Sequence, residues 1–190
     1  MCEVIAAVST GMCVSAIGIV RLSGDGCASI ADKVITLNNG LSMEQAANRK
    51  QLLGKLFDKS GRIIDQCVAV YTRGPHSYTG EDTVEFHCHG SPAVLAAGLE
   101  ALYRAGARPA TRGEFTKRAF LNGQLGLTEA EAVIDLIEAE TADAAANASI
   151  YSERFISKSA DYYSRPYGLY HVACRAGIIL PQPSRYQEVS

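Results

Sequence analysis

The stretch that most constrains this chain runs from residue 83 to residue 106. "TVEFHCH" (83–89) alternates apolar and polar side chains with the two-residue period of a strand, and Gly80 before it and Gly90-Ser91-Pro92 after it mark its ends. It passes at once into "SPAVLAAGLEALYRAG" (91–106), which is punctuated as a helix: Ser91 is an N-cap candidate, Pro92 sits at the first helical position and Gly106 closes the C-terminus. Val94/Leu95, Gly98/Leu99 and Leu102 make the inward stripe of that helix. A strand with Val84, Phe86 and Cys88 on one face, followed directly by an amphipathic helix, demands a sheet with helices laid on it.

The flanking segments extend that layer. Val4–Val8 and "SAIGIVRLSG" (15–24) read as strands joined hairpin-fashion through the Gly11 loop. "CASIADKVITL" (27–37) places Ile30, Val34 and Leu37 at helical spacing, with Asn38-Asn39-Gly40 to end it. Residues 50–72 read as strand, turn, strand around Asp58-Lys59-Ser60-Gly61. "TRGEFTKRAFLNGQ" (111–124) has Phe115, Ala119 and Phe120/Leu121 at helical spacing, an amphipathic helix whose charges, Arg118 among them, face solvent. Residues 128–148 read as a long helix opened by a Thr128/Glu131 capping box, with Ala130, Val133, Ile134 and Ile137 on one face.

The order β-β-α-β-β-β-α followed by a long helix predicts an α+β fold, a mixed sheet covered by helices and then the start of a helical unit. We divide the chain into an α+β domain over 1–122, the first helix of a helical domain over 123–148 and an atypical tail over 149–190. The tail holds six of the nine tyrosines, sustains neither period and is broken by Pro166, Pro181 and Pro183, so poor order is expected there.

Composition removes several function classes. With 18 basic and 20 acidic residues the net charge is −2, which offers no electrostatic case for nucleic acid binding by this segment. The first twenty residues lack a basic n-region and an unbroken apolar run, so neither a signal peptide nor a membrane span is expected. Six cysteines occur without a C-x-x-C pair, as in a cytoplasmic protein with reduced, buried thiols. Neither a G-x-x-x-x-G-K-[ST] phosphate loop nor a G-x-S-x-G elbow occurs.

The polar face of the 83–89 strand is the candidate site. Alternation puts Glu85, His87 and His89 together, an arrangement that is costly unless it meets water, a metal or a polar ligand. Three readings stay open: a solvated strand face, a metal site built from His87, His89 and Glu85, or a ligand pocket. Arg21 favours the pocket. It lies in the apolar strand "AIGIVRLSG", in register with Ile17 and Ile19, where a charge must be paired or reach the strand end.

"AIGIVRLSG", "GPHSYTGEDTVEFHCHGSP", "RGEFTKRAFLNGQ" and "LTEAEAVIDLIEAET" together resemble the N-terminal region of the MnmE (TrmE) family, GTPases that modify the wobble uridine of tRNA. The similarity runs from about residue 3 to 148 with the motifs in family order. It implies a folate-binding, aminomethyltransferase-like domain that takes 5-formyl- or 5,10-methylene-tetrahydrofolate as one-carbon donor and forms a homodimer. In that family a helical domain carrying an inserted G domain follows, with GTP, Mg and K ions as its ligands, and the flavoprotein MnmG (GidA) and tRNA as partners. Carried over by position, the folate contacts fall on Arg21, Glu85 and Gln124. Three departures stand out. Gln124 replaces a usually basic residue, the first loop reads "STGMCVS", and the resemblance stops after about Ala148, before any G domain, as in a truncated form.

Overall fold

The computed structural model describes residues 3–149, so the 149–190 tail lies, but for Ser149, outside the described residues. The chain divides into two compact units, 1–130 and 131–190. The first is built on a seven-stranded sheet: β1 (Ile5–Val8), β2 (Ser15–Ser23), β3 (Ile35–Leu37), β4 (Gln51–Phe57), β5 (Ile63–Thr72), β6 (Thr83–Gly90) and β7 (Arg108–Pro109), in the order β3-β4-β5-β6-β2-β1-β7. All neighbours are antiparallel except β1 and β7, so the sheet is mixed and the α+β expectation holds.

The 83–106 unit forms as its pattern dictates. Val84, Phe86 and Cys88 are buried, and across β2 they meet Leu22, Val20 and Gly18. Helix α2 (Pro92–Ala105) covers this face. Gly18 is what lets it seat, because a Cβ there would lie 2.6 Å from Leu95 Cδ1, and Leu95 is fully buried. At the helix end Gly106 takes a φ of 118°, and the N–H of Ala107 donates to the Leu102 carbonyl at 3.0 Å, the bond that satisfies an orphan carbonyl past a left-handed glycine. Ser91 does occupy the N-cap, but through its backbone: its carbonyl accepts from Leu95 N at 3.0 Å and its hydroxyl makes no capping bond.

Three expectations are corrected. The 27–37 helix is only α1 (Cys27–Asp32); Ile35–Leu37 turns back as edge strand β3, with Ile35 and Leu37 buried and Thr36 exposed. Three residues are too few to display a two-residue period, and pairing of Ile35 with Leu56 and Leu37 with Gly54 overrides the helical spacing. Helix α3 (Glu114–Leu121) forms, yet Phe120 and Leu121 are exposed, and Ala119 is its buried residue. The long helix is α4 (Leu127–Glu138), separated by 139–141 from a second helical stretch over 142–149. Its reciprocal cap is displaced: Glu129, not Glu131, reaches back, accepting from Gly126 N at 2.5 Å, while Thr141 Oγ1 caps the second stretch by accepting from Ala144 N at 3.1 Å.

No helix of the described residues is long and apolar enough to cross a membrane.

Candidate functional site

The second face of β2 and β6 carries the charged residues. Because the two strands are antiparallel with Ile19 opposite His87 and Ile17 opposite His89, the same register sets Arg21 directly across from Glu85. Arg21 Nε donates to Glu85 Oε1 at 2.7 Å, and Nη2 lies 2.7 Å from the same oxygen. Arg21 is 6% exposed, so this is a buried pair and not a strand-end charge reaching for water. The two strands thus converge on one charged centre.

The cover comes from the 73–82 loop and from α3. Arg21's guanidinium lies 5.3 Å from the Tyr78 ring centroid and 5.7 Å from that of Phe115, the distances of cation–π contacts. Tyr78 in turn meets α3, its hydroxyl 3.0 Å from Thr116 Oγ1. Gln124 follows α3, its backbone N–H donating to the Ala119 carbonyl at 2.8 Å. Its side chain packs on the same loop: a Cβ on Gly80 would lie 3.1 Å from Gln124 Nε2. Arg21 and Glu85 are therefore bonded to one another, and Gln124 meets the loop at Gly80, two residues from the Tyr78 that covers Arg21.

The two histidines part company. His87 Nε2 lies 3.4 Å from Glu85 Oε2, a long contact within the centre. His89 turns to the neighbouring strand, with Nδ1 2.7 Å from Asp65 Oδ1 and its backbone N–H donating to Asp65 Oδ2 at 2.8 Å, and its side chain is 75% exposed. The two histidines weighed as metal ligands are thus divided between two carboxylates, Glu85 and Asp65, and the described residues contain no group of three or more His, Cys, Asp and Glu arranged to hold a metal ion.

The loop itself is held by a polar network that sequence reasoning missed. Asp82 accepts from Tyr71 Oη at 2.5 Å and from Gly74 N at 2.9 Å; burial, then this bond to Asp82, pushes the Tyr71 phenol up. Ser23 Oγ donates to Glu81 Oε2 at 2.7 Å and lies 2.7 Å from Thr79 Oγ1. Arg118, assigned from periodicity to a solvated helix face, points inward instead: Nη1 donates to Glu81 Oε2 at 2.9 Å, and Nη2 to the Glu3 carbonyl at 2.9 Å and to Glu114 Oε1 at 3.2 Å. Glu114 also takes Arg108 through Nη2 at 2.7 Å and Nη1 at 3.1 Å. Arg108, before Thr111 and Arg118, holds the Glu114 carboxyl well below the usual carboxylate range. The available signal was the Glu114/Arg118 spacing of four, which identifies an intrahelical pair but not a buried one.

Chemically, the centre is an acceptor-only carboxylate, already oriented by a guanidinium, beneath aromatic rings. A group that engages Glu85 must present N–H or O–H donors. The fold and this centre define a class: an α+β module with a charged site on the sheet face opposite α2. The amino-acid sequence matches the family model described as GTP-binding protein TrmE N-terminus over residues 4–124. Among individual relatives, the tRNA modification GTPase MnmE of Aquifex aeolicus is 48% identical over 141 residues, 74% of this chain and 30% of the relative. The protein of the same description from Thermus thermophilus is 50% identical over 137 residues, 72% of this chain and 31% of the relative. That of Caldicellulosiruptor saccharolyticus is 42% identical over 159 residues, 84% of this chain and 35% of the relative. The chain belongs to the TrmE N-terminal family, and it spans about a third of the length of these relatives.

Proposed function

We propose that this chain binds a 5-formyl- or 5,10-methylene-tetrahydrofolate through Arg21, Glu85 and Gln124, and forms a homodimer through its α+β domain. Its context is tRNA modification, where relatives carry the description tRNA modification GTPase MnmE. There it presents the one-carbon donor for wobble-uridine chemistry alongside the flavoprotein MnmG (GidA). The observation that carries the reading is the pairing of Arg21 with Glu85 at 2.7 Å under the Tyr78 and Phe115 rings.

The donor set fits such a ligand. A pterin presents a ring N–H beside an amino group, and a carboxylate accepts from both as it does from a guanidinium. Glu85 supplies the acceptor, Arg21 fixes its orientation, and the flat heterocycle suits a site flanked by aromatic rings. Gln124 offers a neutral amide where a cation would give a charge-assisted bond, so affinity through that contact is reduced relative to a basic residue.

Isothermal titration with 5-formyltetrahydrofolate tests the site, and sedimentation of the same sample tests the dimer. Saturable binding that disappears in Glu85→Ala supports it. Binding undiminished in a folded Glu85→Ala protein removes Glu85 from the site and the reading with it.

A further inference from the structure

The 73–82 loop reaches the charged centre through Tyr78, and something must set where that ring lies. The loop bears on α3 and the turn after it through three side-chain polar contacts, beside the packing of Gln124 on Gly80. Tyr78 Oη meets Thr116 Oγ1 at 3.0 Å, Asn122 Nδ2 donates to the Thr79 carbonyl at 2.7 Å, and Arg118 Nη1 donates to Glu81 Oε2 at 2.9 Å. Two of these are neutral contacts. The third joins two opposite charges whose side chains are only 12% and 8% exposed.

Arg118 does more than meet Glu81. Its other nitrogen donates to the Glu3 carbonyl at 2.9 Å and to Glu114 at 3.2 Å, so one guanidinium joins the loop, the segment ahead of β1 and the first turn of α3. The same helix, one turn earlier, carries Phe115 over Arg21. A planar, forked cation can hold such a multipoint junction, and a point charge cannot.

We infer that Arg118 is the positioning residue of the candidate site: it locks the Thr79–Glu81 limb of the loop to α3, and through that lock sets Tyr78 across Arg21. The inference rests on the folate reading for its functional consequence, but its structural part stands apart from it. Without Arg118, Glu81 is a largely buried carboxylate that has lost its guanidinium, and the relief open to it is to swing toward water and take the limb with it. Tyr78, one residue before Thr79, then leaves Arg21.

Two readouts on the full chain separate the parts. The Nε–H of Arg21, bonded to Glu85 Oε1 at 2.7 Å and lying beneath two rings, gives a side-chain resonance sensitive to Tyr78. In Arg118→Ala that resonance moves, and the dissociation constant for 5-formyltetrahydrofolate rises about tenfold, the loss of one ring contact at the site. Arg118→Lys, which keeps the charge but not the fork, falls between wild type and Arg118→Ala in both, and it carries the test should Arg118→Ala fail to fold. An unchanged Arg21 resonance in a folded variant overturns the inference, as does a shifted resonance with unchanged folate affinity. If wild type binds no folate, the proposed function falls, and the Arg21 resonance still decides whether Arg118 sets Tyr78.

Discussion

Replacing Glu85 by Ala separates the cost of a broken ion pair from the loss of a ligand contact. Arg21 is 6% exposed and meets Glu85 Oε1 through Nε and Nη2, each at 2.7 Å. Deleting one member of a buried pair costs about 3–5 kcal/mol. The rings of Tyr78 and Phe115 stay over the guanidinium in the variant, which puts the expectation near the lower bound, about 3 kcal/mol. For a chain of this length that is a fall in melting temperature of about 6–12 °C, or a urea midpoint lower by about 1.5 M at a slope of about 2 kcal/mol per molar. The assay is urea unfolding followed by circular dichroism on Glu85→Ala, Arg21→Met and the double variant Arg21→Met/Glu85→Leu. The double variant removes both charges and is expected within about 1 kcal/mol of wild type, since a well-packed apolar replacement of a buried pair is close to neutral. A single-variant loss under about 1 kcal/mol, or a double variant as unstable as the single, would refute the view that these charges are buried and mutually compensated.

Acid titration tests the Glu114 junction. Its folded-state pKa lies below the unfolded value of about 4.3, so its contribution is complete above that pH and is lost as pH falls toward the folded value. The difference in urea midpoint between wild type and Glu114→Gln should therefore shrink steadily below about pH 4; a constant difference down to about pH 2 contradicts the Arg108–Glu114 pairing. Thiol labelling tests the sheet core. Burial, with Asp82 nearby, pushes the Cys27 thiol up to about 12, and a hydrogen bond with Cys67 together with burial pushes Cys88 up as well. Peptide-mapped alkylation at neutral pH should mark exposed Cys13 and leave Cys27, Cys67 and Cys88 until denaturant is added; rapid native labelling of Cys88 would place it outside the core.

Much of the fold was legible because local signals agreed with global need. Residues 83–106 carried strand alternation, a proline start and a glycine stop in one run, and the structure uses every one of them, with only the Ser91 hydroxyl idle as a cap. The segment 27–37 failed because helical spacing and a three-residue edge strand are compatible with the same apolar positions, and only pairing with β4 chooses between them. β7, two residues long, has no sequence signature; it exists because Arg108 and Pro109 lie parallel to Ile5 and Ala6.

At the site, the sequence by itself determined that Glu85, His87 and His89 share a face and that Arg21 sits uneasily in an apolar strand. Both follow from the two-residue period, which is a property of a single strand. Tertiary structure alone decided that Arg21 faces Glu85 and not another residue, that His89 belongs to Asp65, and that Arg118 turns inward to Glu81. Those outcomes depend on the register that brings Arg21 to Glu85, 64 residues further along the chain, and on a helix docking against a loop 37 residues away, separations over which no local periodicity carries information.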